Sequence, residues 1–156
     1  MRTLLKATFA ITALATLALA ADKPNFSGDW TLVPDKSTFG PMPPPDSMTR
    51  KIDHSDPAMT VTQATTGGPQ GDQTATMKYS TDGKETTNEM MGAPVKATAS
   101  WEGSALLIKM AANFGGTDIT ITDKWTLSDD GKTLTDVTHI IAPQGEFDIT
   151  YVMAKK

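Results

Sequence analysis

The chain has 156 residues, with 14 Lys and Arg against 18 Asp and Glu, 38% hydrophobic residues and no cysteine. Without thiols, cysteine catalysis, zinc–thiolate and iron–sulfur chemistry and any disulfide framework are excluded. The acidic balance gives no electrostatic pull toward nucleic acid or an anionic membrane.

Residues 1–20 carry Arg2 and Lys6, then an apolar run from Ala7 to Ala20 broken only by threonines, ending Ala18-Leu19-Ala20. That is the positive, apolar, A-x-A order of a secretory signal peptide. At about 14 residues the run falls short of the ~20 that cross a bilayer, and no second apolar run follows. The expectation is a leader over 1–20, removed near Ala20 and Ala21, and one domain over 21–156 in the bacterial periplasm or secreted. Without Arg2 and Lys6 the mature chain carries 12 basic and 18 acidic residues, a net charge of −6.

The mature chain reads in period two. Its 21 threonines alternate with apolar residues, as on the wet face of half-buried strands. No segment carries apolar residues at helical spacing over more than a turn. The first strand spans 26–33 and stops at Pro34. Residues 35–46 form a loop whose Phe39-Gly40-Pro41-Met42-Pro43-Pro44-Pro45 forbids a helix and favours polyproline geometry, a stiff strap or lid at the barrel mouth. Nine further strands follow at 47–53, 58–65, 73–80, 84–91, 95–102, 105–111, 118–128, 133–141 and 146–154. Their joints are short turn sequences such as Thr81-Asp82-Gly83, Gly115-Gly116 and Asp129-Asp130-Gly131. Such loops permit only antiparallel neighbours, and ten strands relieve both sheet edges by closing. The predicted fold is all-β: one antiparallel up-and-down barrel with very little helix.

Asn25-Phe26-Ser27-Gly28-Asp29-Trp30-Thr31-Leu32, followed by Asp35-Lys36-Ser37-Thr38-Phe39, resembles the start of lipocalin-like proteins of the calycin group, especially small exported bacterial members. The ten-strand meander is more similar to the fatty-acid-binding branch than to the eight-strand lipocalins. The resemblance implies that Trp30 packs across the barrel floor, that Gly28 lets the strand bend there, and that Phe26 belongs to the same closing motif. Two departures stand out. Fatty-acid-binding proteins insert a helix-turn-helix lid after the first strand, where this chain has the Pro-rich loop. They also hold the carboxylate with an Arg-x-Tyr pair on the last strand, and here Asp148-Ile149-Thr150-Tyr151 lacks the Arg. The resemblance therefore does not carry fatty-acid specificity.

Alternation assigns the inward faces: Trp30 and Leu32, Met48 and Ile52, Met59 and Val61, Met77 and Tyr79, Val95 and Trp101, Leu106, Ile108 and Met110, Ile119, Ile121 and Trp125, and Phe147, Ile149 and Tyr151. Flexible thioethers on these faces suit either varied apolar guests or an irregular filled core. Two charged residues share them: Arg50 lies between Met48 and Ile52, and Asp123 between Ile121 and Trp125. A charge turned inward needs a partner. Arg50 either anchors a ligand carboxylate or phosphate, tuned by Asp123, Tyr79 or Tyr151, or forms an internal ion pair, or reaches water at a strand end. The candidate ligand-binding residues are Arg50, Met48, Ile52, Tyr79, Trp101, Asp123, Trp125 and Tyr151.

Some small bacterial barrels of this shape hold haem iron through a histidine. His54, at the end of the Met48-Arg50-Ile52 face, and His139, on the face of Val137 and Ile141, are then conceivable axial ligands, although lone histidines more often serve the surface or the core. No cofactor and no metal are expected. No Gly-x-Ser-x-Gly occurs, Asp129-Asp130-Gly131 closes a hairpin without the other ligands of a calcium loop, and Gly67-Gly68-Pro69-Gln70-Gly71 lacks the Lys and helix of a phosphate cradle. The functional expectation is an exported monomer that binds a small apolar or amphipathic molecule without catalysis, does not insert in a membrane, and offers a cavity of ~300 Å³ or more. The alternatives are a structural or interaction barrel with a filled core, and a barrel-type isomerase or cyclase using Arg50, Asp123, Tyr79 and Tyr151.

Overall fold

The computed structural model describes residues 23–156, so the expected leader and its cleavage point lie outside the described residues. Ten strands follow in chain order: β1 (Gly28–Leu32), β2 (Ser47–Ser55), β3 (Ala58–Gly68), β4 (Gly71–Ser80), β5 (Thr86–Met90), β6 (Ala93–Glu102), β7 (Ala105–Phe114), β8 (Thr117–Leu127), β9 (Thr133–Ala142) and β10 (Gly145–Lys155). Pro34–Lys36 form a single 3-10 turn. Each expected strand is present within a few residues of its expected ends. β2 shows why: Met48, Arg50, Ile52 and His54 are buried while Lys51, Asp53 and Ser55 are exposed, so a period-two chain has one face to bury.

All ten strands belong to one antiparallel sheet in the order β4-β3-β2-β1-β10-β9-β8-β7-β6-β5, a nearly closed barrel. The first strand joins the last, with Trp30 opposite Lys155 and Leu32 opposite Met153. The seam falls instead between β4 and β5. There the Asn88 carboxamide stands in for a backbone, accepting from Lys78 N at 2.7 Å and donating to Lys78 O at 2.9 Å, while Thr86 Oγ1 donates to the same carbonyl at 2.8 Å. β5 is only five residues long, and the preceding turn is held to β6 instead, through Gly83 N to Ala99 O at 2.8 Å.

The end at which the chain enters is packed solid. Phe26 and Trp30 are fully buried, and Trp30 Nε1 donates to Phe26 O at 2.9 Å. Phe26 lies near-parallel to Trp101 at 6.0 Å and edge-on to Trp125 at 5.7 Å, while the Lys155 ammonium covers the Trp30 ring at 5.3 Å. Gly28 sits at φ +141°, a backbone region that L side chains rarely adopt, and a Cβ there would meet Lys155 Cε at 2.6 Å. Phe26, Gly28 and Trp30 thus form the floor.

The Pro-rich loop builds wall above the short β1. Thr38 pairs with Thr150 in both directions (2.9 and 2.8 Å), Phe39 packs edge-on against Tyr151 at 6.1 Å, and Asp46 N donates to Thr66 O at 2.9 Å. The segment is a strap tied to β10 at one side and β3 at the other.

Candidate functional site

Above the floor, a cavity of about 180 Å³ occupies the barrel interior. Its apolar walls come from Val61, Ala75, Met77, Met90, Met110, Ile121, Trp125 and Ile140, and its polar groups from Arg50, Gln63, Tyr79, Asp123, Thr138 and Tyr151. The volume is below the ~300 Å³ expected of a pocket for a drug-sized ligand. At ~30 Å³ per water it equals roughly six waters.

The polar groups come together because three strands place them in one cross-strand row. Asp136 on β9 stands opposite Trp125 on β8 and Tyr151 on β10, and Asp123 stands opposite Thr138 one row away. From the other wall Arg50 reaches this row, and its Nη1 lies 2.7 Å from Asp136 Oδ2, at an angle poor for a hydrogen bond. Both residues are buried, with side chains 6% and 0% exposed. Arg50 Nε donates to Gln63 Oε1 at 2.7 Å, and the guanidinium packs on the Trp125 ring at 5.1 Å and the Tyr151 ring at 5.4 Å. Burial alone would lower the Arg50 pKa, but the Asp136 charge, aided by Asp123, more than offsets it and the value rises. The guanidinium therefore stays charged, with its Nε and both ring-packed faces occupied.

Asp123 has a different environment. It is 7% exposed, its Oδ1 has no hydrogen-bond partner among the described residues, and it lines the cavity. Burial, and next the neighbouring Asp136 charge, push its pKa up to about 8, against Thr138 and Arg50. Burial pushes Asp136 upward as well, but that carboxylate touches Arg50 and accepts from Thr138 Oγ1 at 3.3 Å. Of the two acids, Asp136 holds the charge and Asp123 the proton at neutral pH. Tyr79 is raised by burial and then by Asp123; its hydroxyl donates to Met110 Sδ at 3.6 Å. Tyr151 is raised by burial too.

Of the sequence-nominated residues, Arg50, Tyr79, Asp123, Trp125 and Tyr151 line the cavity together. Met48 and Ile52 are buried in the core but do not line it, and Trp101 belongs to the floor, donating from Nε1 to Asp56 Oδ1 at 3.2 Å. Sequence reasoning missed Asp136, Gln63 and Thr138. The signal for Asp136 and Thr138 was the Leu134-Asp136-Thr138-Ile140 alternation, but β9 also carries Val137 and Ile141 on the opposite phase, and those are exposed.

Neither histidine faces the cavity. His54 is buried beside Phe26 and Trp101; its Nδ1 accepts from Phe26 N at 3.2 Å and its Nε2 lies 3.7 Å from Asp56 Oδ1. Burial lowers its pKa against the pull of Asp56. Asp56 is in turn held below its ordinary value, first by a hydrogen bond from the Thr81 hydroxyl. His139 sits on the outer face with Asp148 Oδ1 at 2.6 Å. Among the described residues no group of three or more His, Asp or Glu is placed to hold a metal ion.

No family model and no curated protein matches the chain. Solved structures do. Zebrafish ileal bile acid-binding protein complexed with cholic acid is similar at TM-score 0.55 and 19% identity over 84% of this chain and 98% of that one. A secretory abundant heat soluble protein of Ramazzottius varieornatus is similar at TM-score 0.57 and 11% identity over 83% and 94%. The fold is that of the calycin barrels. A second heat soluble protein of the same organism, protein 4, agrees at TM-score 0.53, 15% identity and 84% and 94% coverage. At these identities the calycin likeness concerns the fold alone, and the site is described by this chain's own residues.

Proposed function

We propose that this chain is an exported, non-catalytic calycin-type barrel that binds one small apolar or amphipathic molecule in its interior. The observation that carries this reading is the 180 Å³ cavity walled by flexible Met77, Met90 and Met110 and lined by the buried Asp123 carboxyl. The leader-like residues 1–20 support export. Zebrafish bile acid-binding protein is complexed with cholic acid, and an interior guest suits this barrel too.

Native mass spectrometry of the purified protein, followed by solvent extraction, tests the reading. A stoichiometric small adduct, lost when Ala75→Phe fills the cavity wall, is the expected result. A protein that carries nothing and whose melting temperature ignores small apolar probes would instead be a structural barrel.

A further inference from the structure

The cavity chemistry narrows the ligand class, an inference that rests on the interior-binding reading. We propose that Asp123 receives the hydrogen-bond-donating head of a small amphiphile, a hydroxyl or an ammonium, and that the cavity discriminates against carboxylates, the anions a buried arginine would ordinarily be expected to hold.

Among the described residues Arg50 is the one cation lining the cavity, and Asp136 neutralises it at 2.7 Å. Its Nε is taken by Gln63 and its faces by Trp125 and Tyr151, so an incoming carboxylate meets only the remaining terminal nitrogen of a cation whose charge Asp136 already balances. That carboxylate would also enter beside the Asp136 charge, and like charges at low dielectric repel strongly.

Asp123 faces Arg50 from β2, Asp136 and Thr138 from β9, Tyr79 from β4 and Tyr151 from β10. With Asp136 paired to Arg50, the row is electrically neutral when Asp123 keeps its proton. An alcohol preserves this balance by donating to the Asp123 carboxyl. An ammonium preserves it differently: it enters with its charge, the Asp123 O–H bond breaks, the proton leaves to buffer, and the carboxylate pairs with the ammonium. A carboxylate guest keeps the balance only by taking up a proton from buffer and entering as the neutral acid, against its low ordinary pKa. The apolar remainder of the guest meets Met77, Met90, Met110 and Ile121.

Three probes of one tail length separate the heads: hexylamine, 1-hexanol and hexanoate, with benzene as a headless control, titrated calorimetrically into the purified protein at pH 7. The expected result is that hexylamine or hexanol binds roughly tenfold or more tightly than hexanoate. Repeating the titration in two buffers of different ionisation enthalpy distinguishes the sources, because hexylamine releases about one proton per molecule bound and hexanol none. Asp123→Leu should weaken the preferred probe about tenfold or more while benzene binding persists. Hexanoate binding as tightly as both others overturns the inference, as does unchanged affinity in Asp123→Leu, and the wild-type series decides by itself if that variant does not fold. Benzene binding alone overturns the head-group assignment and leaves the interior-binding reading standing. No binding by any of the four sinks both.

Discussion

Asp123→Asn should stabilise the protein, and by an amount that depends on pH. In the fold the Asp123 carboxyl is pushed up to about 8 from an ordinary value of 3.8, by burial and by Asp136. A raised acid contributes stability that is fully present below the unfolded value and is lost as pH rises through the folded one. Each pH unit in that window costs about 1.4 kcal/mol, so by pH 7 the loss is on the order of 4 kcal/mol. Asparagine keeps the shape and removes the proton equilibrium. Urea denaturation of wild type and Asp123→Asn at pH 5 and pH 8 should show the variant gaining about 3 to 4 kcal/mol more at pH 8 than at pH 5. An equal difference at both values, or a variant less stable at pH 8, would refute the placement of an unpaired, proton-holding carboxyl in the barrel.

Arg50→Met should cost about 3–5 kcal/mol, because it leaves Asp136 buried without its cation, and Arg50→Met with Asp136→Leu should recover most of that loss in the same denaturation assay. Asn88→Ala removes two hydrogen bonds to the Lys78 backbone at the β4–β5 seam; a loss of about 1–3 kcal/mol and faster amide exchange at Lys78 are expected. His54 has the opposite pH dependence to Asp123: burial depresses its pKa, so its contribution is present above about 6.5 and lost as pH falls, and His54→Gln should flatten the acid limb of the stability profile. Trp30→Ala should cost about 3–5 kcal/mol by opening the floor, read as a drop in the urea midpoint with an unchanged slope.

Alternation and turn chemistry fix the strands and their order around the wall. Period-two burial leaves no alternative face for residues such as Met48, Ile52, Leu106 and Ile108, and the Gly- and Asp-rich joints allow only antiparallel neighbours, so ten strands and their closure from β1 to β10 were legible. The inward turn of Arg50 and Asp123 was legible for the same reason. Which acid partners Arg50 was not. Asp136 lies 86 positions away on β9, where Val137 and Ile141 offered an equally apolar phase, and only the pairing of β9 between β8 and β10 turns Leu134, Asp136 and Thr138 inward. The seam at β4–β5 was likewise hidden, because a side-chain amide replaces a ladder there and side-chain hydrogen bonds leave no period in a sequence. The cavity volume was decided by tertiary packing too: alternation says which side chains enter the barrel, while the space they leave depends on how opposite walls meet, and here the floor rings of Phe26, Trp30 and Trp125 fill one end and confine the open volume to the layer around Arg50, Asp123 and Asp136.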